Sequence, residues 1–206
     1  MYFHGSNIGD LKVLKPKIYK MGDPYRLFFS SKRQNVLPYL ANPLQVLVDK
    51  KYGKGVYKMT RRIAAYNIDE NGVIVFSELW SGMFEEIFKG QTGYIYYFDD
   101  IDGIQPLEGI KDQYVVDHRV DVDKVEVVSD IYAELQKMER EGIVKMRTYD
   151  QLSAEKKEKW QDLFLNDYKR WEDVANEDLI TKLYCEILED KFEKVKQYKE
   201  EKAKTL

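Results

Sequence analysis

The chain has 206 residues, 44% hydrophobic and 14% aromatic, enough for a real core and too apolar for global disorder. At ~100–200 residues per domain this predicts one domain, or one domain with a helical appendage. Charged residues make up 33%, and the net charge of −3 divides unevenly: thirteen Lys/Arg against three Asp over residues 1–66, then a net −11 over 67–150 and −2 over 151–206.

A basic first third suits an anionic ligand, or an acidic segment of the same chain folded against it. No run of ~18 apolar residues occurs, so no membrane span is expected. The opening Met1-Tyr2-Phe3-His4-Gly5 has no basic or apolar leader region. A lone Cys185 excludes an internal disulfide and points to a reducing, cytoplasmic setting. With only His4 and His118 beside it, no metal site is expected.

In chain order, residues 1–4 read as a strand ending in a turn at Gly5-Ser6, and Leu11, Val13 and Leu14 as a second extended piece. Residues 19–25 read as a loop. Arg26 to Ser30 is a β-favouring run, with Ser31 placed to cap a helical turn. Pro38 and Pro43 suit helix first turns, which predicts short helices near 37–42 and 43–51, closed by Gly53 and Gly55. Strands at 61–68 and 73–79 flank the hairpin signal Asp69-Glu70-Asn71-Gly72. A short helix is predicted at 81–89, the strongest strand at 94–98, and further strands at 113–118 and 124–128.

Ser129 opens a helix with Asp130 in its first turn and Gly142 past its end; Ile131, Leu135 and Met138 share one face. Trp160 to Val174 recurs at helical spacing. After Asn176, a stripe from Ile180 to Tyr198 predicts one helix of about 25 residues, with 199–206 frayed. The fold class is α+β. The expected organisation is a β-rich part over 1–128 and a helical segment over 129–206 packed on it.

Three short segments carry candidate chemistry. His4-Gly5-Ser6 ends the first strand; histidine can donate to a ribose hydroxyl, and glycine lets a ligand near the backbone. The alternative is a plain strand-end turn. Phe28-Phe29-Ser30-Ser31 with Tyr39 offers two rings for a flat heterocycle, or simply two core aromatics. Gln91-Thr92-Gly93 leads into the strongest strand, with Glu85 and Glu86 just before; a solvated acidic face accounts for at least one of these.

Together these pieces resemble the ADP-ribosyltransferase superfamily, in its branch with a histidine, an aromatic and an acid in three successive motifs. Poly(ADP-ribose) polymerases, diphtheria toxin and rifampicin-inactivating transferases belong there. Phe3-His4-Gly5-Ser6 is similar to the first motif and Leu27-Phe28-Phe29-Ser30-Ser31 to the second, with Tyr39 at the spacing of the ring-stacking tyrosine. Tyr94-Ile95-Tyr96-Tyr97 is similar to the strand that bears the catalytic glutamate.

The resemblance covers roughly residues 2–128. It implies a split, bent sheet with an NAD cleft, and an NAD-dependent mono-ADP-ribosyltransferase. His4 would hold the adenosine ribose and the Gly5 backbone, with Ser6 beside it, the nicotinamide amide. Phe28 and Tyr39 would clamp the ring, and Ser30 or Ser31 would fix the amide. Lys20, Arg26, Arg61 or Arg62 would neutralise the pyrophosphate.

Two departures weaken catalysis. Phe28 replaces a tyrosine, and Gly93 stands where the glutamate would stabilise the oxocarbenium-like state. Gln91 and Glu86 are the substitutes in reach. Members lacking the glutamate transfer with help from the substrate or only bind, so a non-catalytic module for an NAD-like ligand or a protein partner is the second reading. A third is nucleic-acid binding by the basic face, with Tyr19, Tyr25, Tyr52 and Tyr57 stacking on bases. The acceptor would be protein, nucleic acid or a small molecule. No Gly-rich phosphate loop precedes a helix, which argues against Rossmann and P-loop folds. Trp160, Trp171 and Tyr184 pack the C-terminal helices or form a homodimer or partner surface. Cys185 reads as a buried inert thiol and His118 as a surface residue.

Overall fold

A computed structural model describes residues 1–18, 24–59, 62–175 and 177–205. Lys20, Tyr19, Arg61 and Asn176 lie outside the described residues.

The chain begins with β1 (Tyr2–Ser6), β2 (Val13–Leu14) and β3 (Leu27–Ser30), then a 3₁₀ turn over Arg33–Tyr39. Next come α1 (Pro43–Tyr52), β4 (Tyr66–Ile68), β5 (Ile74–Ser77), α2 (Met83–Phe88) and β6 (Gly93–Phe98). Short strands follow: β7 (Gln105–Pro106), β8 (Gln113–Val116), β9 (Val120–Asp121) and β10 (Lys124–Val128). The remainder is α3 (Ile131–Arg140), β11 (Val144–Arg147), a 3₁₀ turn at Tyr149–Gln151, α4 (Ala154–Glu172), α5 (Leu179–Leu188) and α6 (Glu193–Thr205). The fold is mixed α+β, and no described helix is long and apolar enough to cross a membrane.

These elements form two units, each drawn from several stretches of chain. The first is Met1–Ala41, Ile68–Ile74 and Phe88–Lys145; the second is Asn42–Asn67, Val75–Ile87 and Met146–Leu206. The division is therefore not a single cut near residue 128. α3 belongs to the first unit, and α1 to the second.

In the first unit a six-stranded sheet runs in the order β10-β6-β1-β3-β8-β7. Alternation sends successive side chains to opposite faces. One face buries Leu27, Phe29, Tyr96 and Phe98 with Leu14, Ile101, Val116 and Val120. The Tyr96 hydroxyl donates to the Ile8 carbonyl at 2.8 Å and accepts from Leu11 N–H at 3.2 Å, so it carries no unmet polar group into this core. On the other face Phe3 meets Tyr97 edge-on at 5.1 Å. Asp130, not Ser129, caps α3: its carboxylate accepts from Ala133 N–H at 3.0 Å.

In the second unit Asn42 precedes α1 with Pro43 in the first turn, as the proline requires. α4 is capped by Ser153 and α5 by Asp178. The predicted 25-residue helix is two helices. Phe192, fully buried in the break, stacks on Phe164 at 3.9 Å and meets Trp80 edge-on at 6.0 Å. No glycine or proline sits there, so packing of one ring overrides helix propensity. Within the tail expected to fray, the described residues are helical: α6 runs to Thr205.

Other expectations shift. The helix near 37–42 is a 3₁₀ turn with Pro38 inside it, preceded by Lys32 rather than a Ser31 cap. The hairpin strands are shorter, at Tyr66–Ile68 and Ile74–Ser77 around the Asp69–Gly72 tip. β11 was not legible as a strand; Val144-Lys145-Met146-Arg147 has one buried side chain, too little for an alternation signal.

Candidate functional site

β1 lies between β3 and β6, so the three motif segments are neighbouring strands of one sheet. β1 and β6 pair along their length, from Tyr2–Phe98 to Ser6–Tyr94. β1 and β3 are joined differently. Among the described residues their ladder holds the pair Phe3–Ser30. Beyond it, the Phe28 carbonyl is taken by a side chain: His4 Nδ1 lies 2.8 Å from that oxygen. A carbonyl only accepts, so Nδ1 donates, and the other nitrogen of the neutral ring is then an acceptor. In that neutral tautomer His4 would receive a hydrogen bond from a hydroxyl rather than give one.

The His4 ring packs 5.9 Å from Phe29, on the face that holds Tyr96. Phe28 and Ser30 fall on the opposite face with Phe3. Imidazole and Phe28 ring therefore do not share a slot. Tyr39 ends the 3₁₀ turn whose Val36 lies against Gly5, and both Phe28 and Tyr39 are half-buried.

Gly5 is required by the chain itself. A Cβ there would lie 2.3 Å from the Val36 carbonyl oxygen, so the close approach expected of a ligand is made by the 3₁₀ turn. Ser6 accepts from Ile8 N–H at 3.0 Å, closing the turn after β1. Ser30 is buried: its hydroxyl donates to the Asp112 carbonyl at 2.8 Å and accepts from Lys32 N–H at 3.1 Å. Its proton is committed, so it has none to offer an amide. Ser31 Oγ contacts Asp112 Oδ1 at 3.4 Å, and Lys32 pairs with the same carboxylate at 2.9 Å.

Gly93, where the resemblance expects the acid, has no room for a side chain. A Cβ would lie 2.5 Å from that of Leu40 and 3.0 Å from the Leu40 carbonyl oxygen. Gln91 is half-buried, and its carbonyl accepts from Ile131 N–H at 3.0 Å. Glu86 belongs to the second unit, where its carboxylate takes the Trp80 indole N–H at 2.7 Å and pairs with Lys191 at 2.5 Å. It is a tied structural anion there, while Glu85 is exposed. Arg62 is exposed; Arg26, just before β3, is exposed as well.

Two features of this unit escaped the sequence reading. Arg33 donates to both oxygens of Glu126, pairs with Glu134 at 2.8 Å, and lies 3.6 Å from Met138 Sδ; Tyr97 donates to Glu126 as well. Burial opposes the guanidinium charge, but the Glu126 hydrogen bond and the fields of Glu126 and Glu134 raise its pKa above the ordinary value. The Arg33 hydrogen bond, against the cost of burial and helped by Tyr97, holds Glu126 below the usual carboxylate range. Asn35, on the same 3₁₀ turn, is 3% exposed, and neither amide atom has a hydrogen-bond partner among the described residues. The Arg33 partners lie about a hundred positions away, so no local pattern announces them. Asn35 did leave a signal, an amide beside the apolar Val36-Leu37.

Among the described residues no group of His, Cys, Asp and Glu is placed to hold a metal ion. Cys185 is buried, and His118 is exposed with Nδ1 3.4 Å from Asp117. No protein-family model, no curated protein and no solved structure matches the chain.

Proposed function

We propose that the first unit is an NAD-binding module of ADP-ribosyltransferase type, with a split sheet whose cleft opens where β1 and β3 part. The observation that carries this reading is the interrupted β1–β3 ladder: past Phe3–Ser30, His4 engages the Phe28 carbonyl in place of continued strand pairing. A carboxamide would pair with backbone N–H and C=O groups of β1 and β3 past Phe3–Ser30, as a strand would, beside the approach to Gly5 that Val36 fills. In this reading Phe28 and Tyr39 would flank one side of the nicotinamide, and His4, on the other face, would accept from a ribose hydroxyl.

Binding is favoured over ADP-ribosyl transfer because Leu40 fills the space of an acid at position 93. The half-buried Gln91 is the polar side chain left to support transfer to a protein, nucleic-acid or small-molecule acceptor.

Calorimetric titration with NAD tests the reading. Saturable binding is expected, weakened about tenfold in each of His4→Ala and Tyr39→Ala. Absence of heat with the unaltered protein, or equal affinity in both variants, overturns it. Release of nicotinamide from labelled NAD would replace binding by catalysis.

A further inference from the structure

We infer that β10 is the contact strand of a symmetric dimer, pairing antiparallel with β10 of a second copy of the chain. β10 ends the six-stranded sheet, and β6 is its strand partner among the described residues. Its outer side carries backbone N–H and C=O groups that another strand can take up. The two edges of this sheet differ. β7, at the opposite edge, is two residues long and contains Pro106, which cannot donate to a ladder. β10 has five residues and no proline. On it Val125 and Val127 are 39% and 59% exposed. They stand opposite Tyr96 and Tyr94, so they continue the core face of the sheet past the residues that cover it.

Charge selects both the register and the occupant. Alternate residues of β10 turn their N–H and C=O groups toward β6 and away from it. Two copies therefore pair with outward residues facing outward residues, which puts the two-fold axis on a residue rather than between two. An axis at Lys124 would set lysine against lysine, and one at Glu126 would set glutamate against glutamate; both are destabilising. An axis at Val127 or Val128 overlaps at most three of the five strand residues. An axis at Val125 sets Lys124 opposite Glu126 of the partner subunit, twice, with valine facing valine at the centre. An unrelated strand could use the same backbone groups, but it need not carry the alternating cation and anion that β10 matches in itself.

Both charges are open to this pairing. Lys124 is exposed, with its ammonium 5.6 Å from the Tyr97 ring centroid and no ion pair among the described residues. Glu126 keeps 32% of its side chain exposed while held by Arg33, and Arg33 also pairs with Glu134. Two carboxylates thus share one guanidinium, with Lys137 acting on Glu126 through its field. An ammonium from a second copy brings a further cation to the exposed side of that cluster.

Sedimentation equilibrium on the full chain, without ligand, tests the contact. The unaltered protein should show a monomer–dimer equilibrium at micromolar concentration. Val125→Lys and Val125→Glu should each weaken the dimer at least about tenfold, because like charges then meet on the axis. An equimolar mixture of the two should restore a mixed dimer, since opposite charges then face each other. A cysteine readout keeps the side chain small. Val125→Cys should cross-link two copies on oxidation with diamide, while Val127→Cys, offset by four residues or about 13 Å across the axis, should not. The native Cys185 is buried. A monomeric unaltered protein overturns the inference and leaves the edge to a different chain. A dimer that persists in both charged variants places the contact elsewhere and overturns it as well. A mixture that stays monomeric, or cross-linking at position 127 and not 125, rules out the axis at Val125.

Discussion

Leu40 occupies the space that a side chain at position 93 would need, its β-carbon 2.5 Å from where a Cβ on Gly93 would stand. Gly93 opens β6, and Leu40, fully buried, follows the 3₁₀ turn Arg33–Tyr39. Glycine at 93 lets that segment lie directly on the strand. Gly93→Ala is expected to destabilise the protein by about 1–3 kcal/mol, the usual cost of overpacking. The penalty should persist in a Leu40→Ala background, because the contact is with the β-carbon and backbone of Leu40. Gly93→Glu should cost more and gain no transferase activity. Denaturant titration reads the first two effects and nicotinamide release the third; a stable, active Gly93→Glu would mean the segment moves aside freely.

Arg33 and Glu126 tie that same 3₁₀ turn to β10, and the tie is pH-dependent. Glu126 has a lowered pKa in the folded state, so the unfolded chain takes up its proton first as pH falls. Its contribution is fully present above the ordinary glutamate range, roughly pH 4, and is lost as pH drops through the lower folded value. Glu126→Gln should therefore destabilise at pH 7 and flatten the acid limb of the stability curve below pH 4. Arg33→Ala should do more, leaving Glu126 and Glu134 without their shared cation. An acid limb unchanged in Glu126→Gln would assign the acid sensitivity to other carboxylates.

How much of this was legible in sequence depended on whether the cause was local. The strands at Tyr94–Phe98 and Lys124–Val128 announce themselves by composition, and Asn71-Gly72 marks its hairpin because few residues take the positive φ that Gly72 adopts. The adjacency of β1, β3 and β6 follows from no local pattern, yet their β-favouring composition marked all three segments correctly as strands. Faces were harder. The rings at Phe28 and Phe29 differ by one position, and that single step sends one toward His4 and the other away. The glycines read as ligand-approach points, Gly5 and Gly93, answer instead to Val36 and Leu40, contacts made over about thirty and fifty positions of chain.

Glu78 is a buried carboxylate used wholly for backbone capping. One oxygen accepts from Phe84 N–H at 2.9 Å at the start of α2, and the other from Tyr149 N–H at 2.8 Å. Glu78→Ala leaves two N–H groups without their acceptor, and should cost about 2–5 kcal/mol. Glu78→Gln retains one acceptor and turns an amide donor toward the other N–H, for about 1–3 kcal/mol. Exposed Glu85→Gln should stay within about 0.5 kcal/mol. Chemical denaturation of the three variants checks the order; a Glu78→Gln protein as stable as the parent would assign the second N–H to water.

Phe192 decides where the last helices separate. Glu189-Asp190-Lys191 contains no helix breaker, and the apolar stripe continues on both sides of it. The ring is fully buried between Phe164 and Trp80, a position that an unbroken helix would have to forgo. Phe192→Ala should cost about 3–5 kcal/mol, the range for an emptied aromatic site. It should also remove the reason for the break, so helical content measured by circular dichroism should hold or rise in the protein that remains folded. Phe192→Leu, which keeps apolar volume but loses the stack on Phe164, should cost less and preserve the break. If Phe192→Ala lowered stability by under 1 kcal/mol, the break would have to be set elsewhere, and the capping of α5 by Glu189, whose N–H donates to the Cys185 carbonyl at 3.1 Å, would be the next place to look.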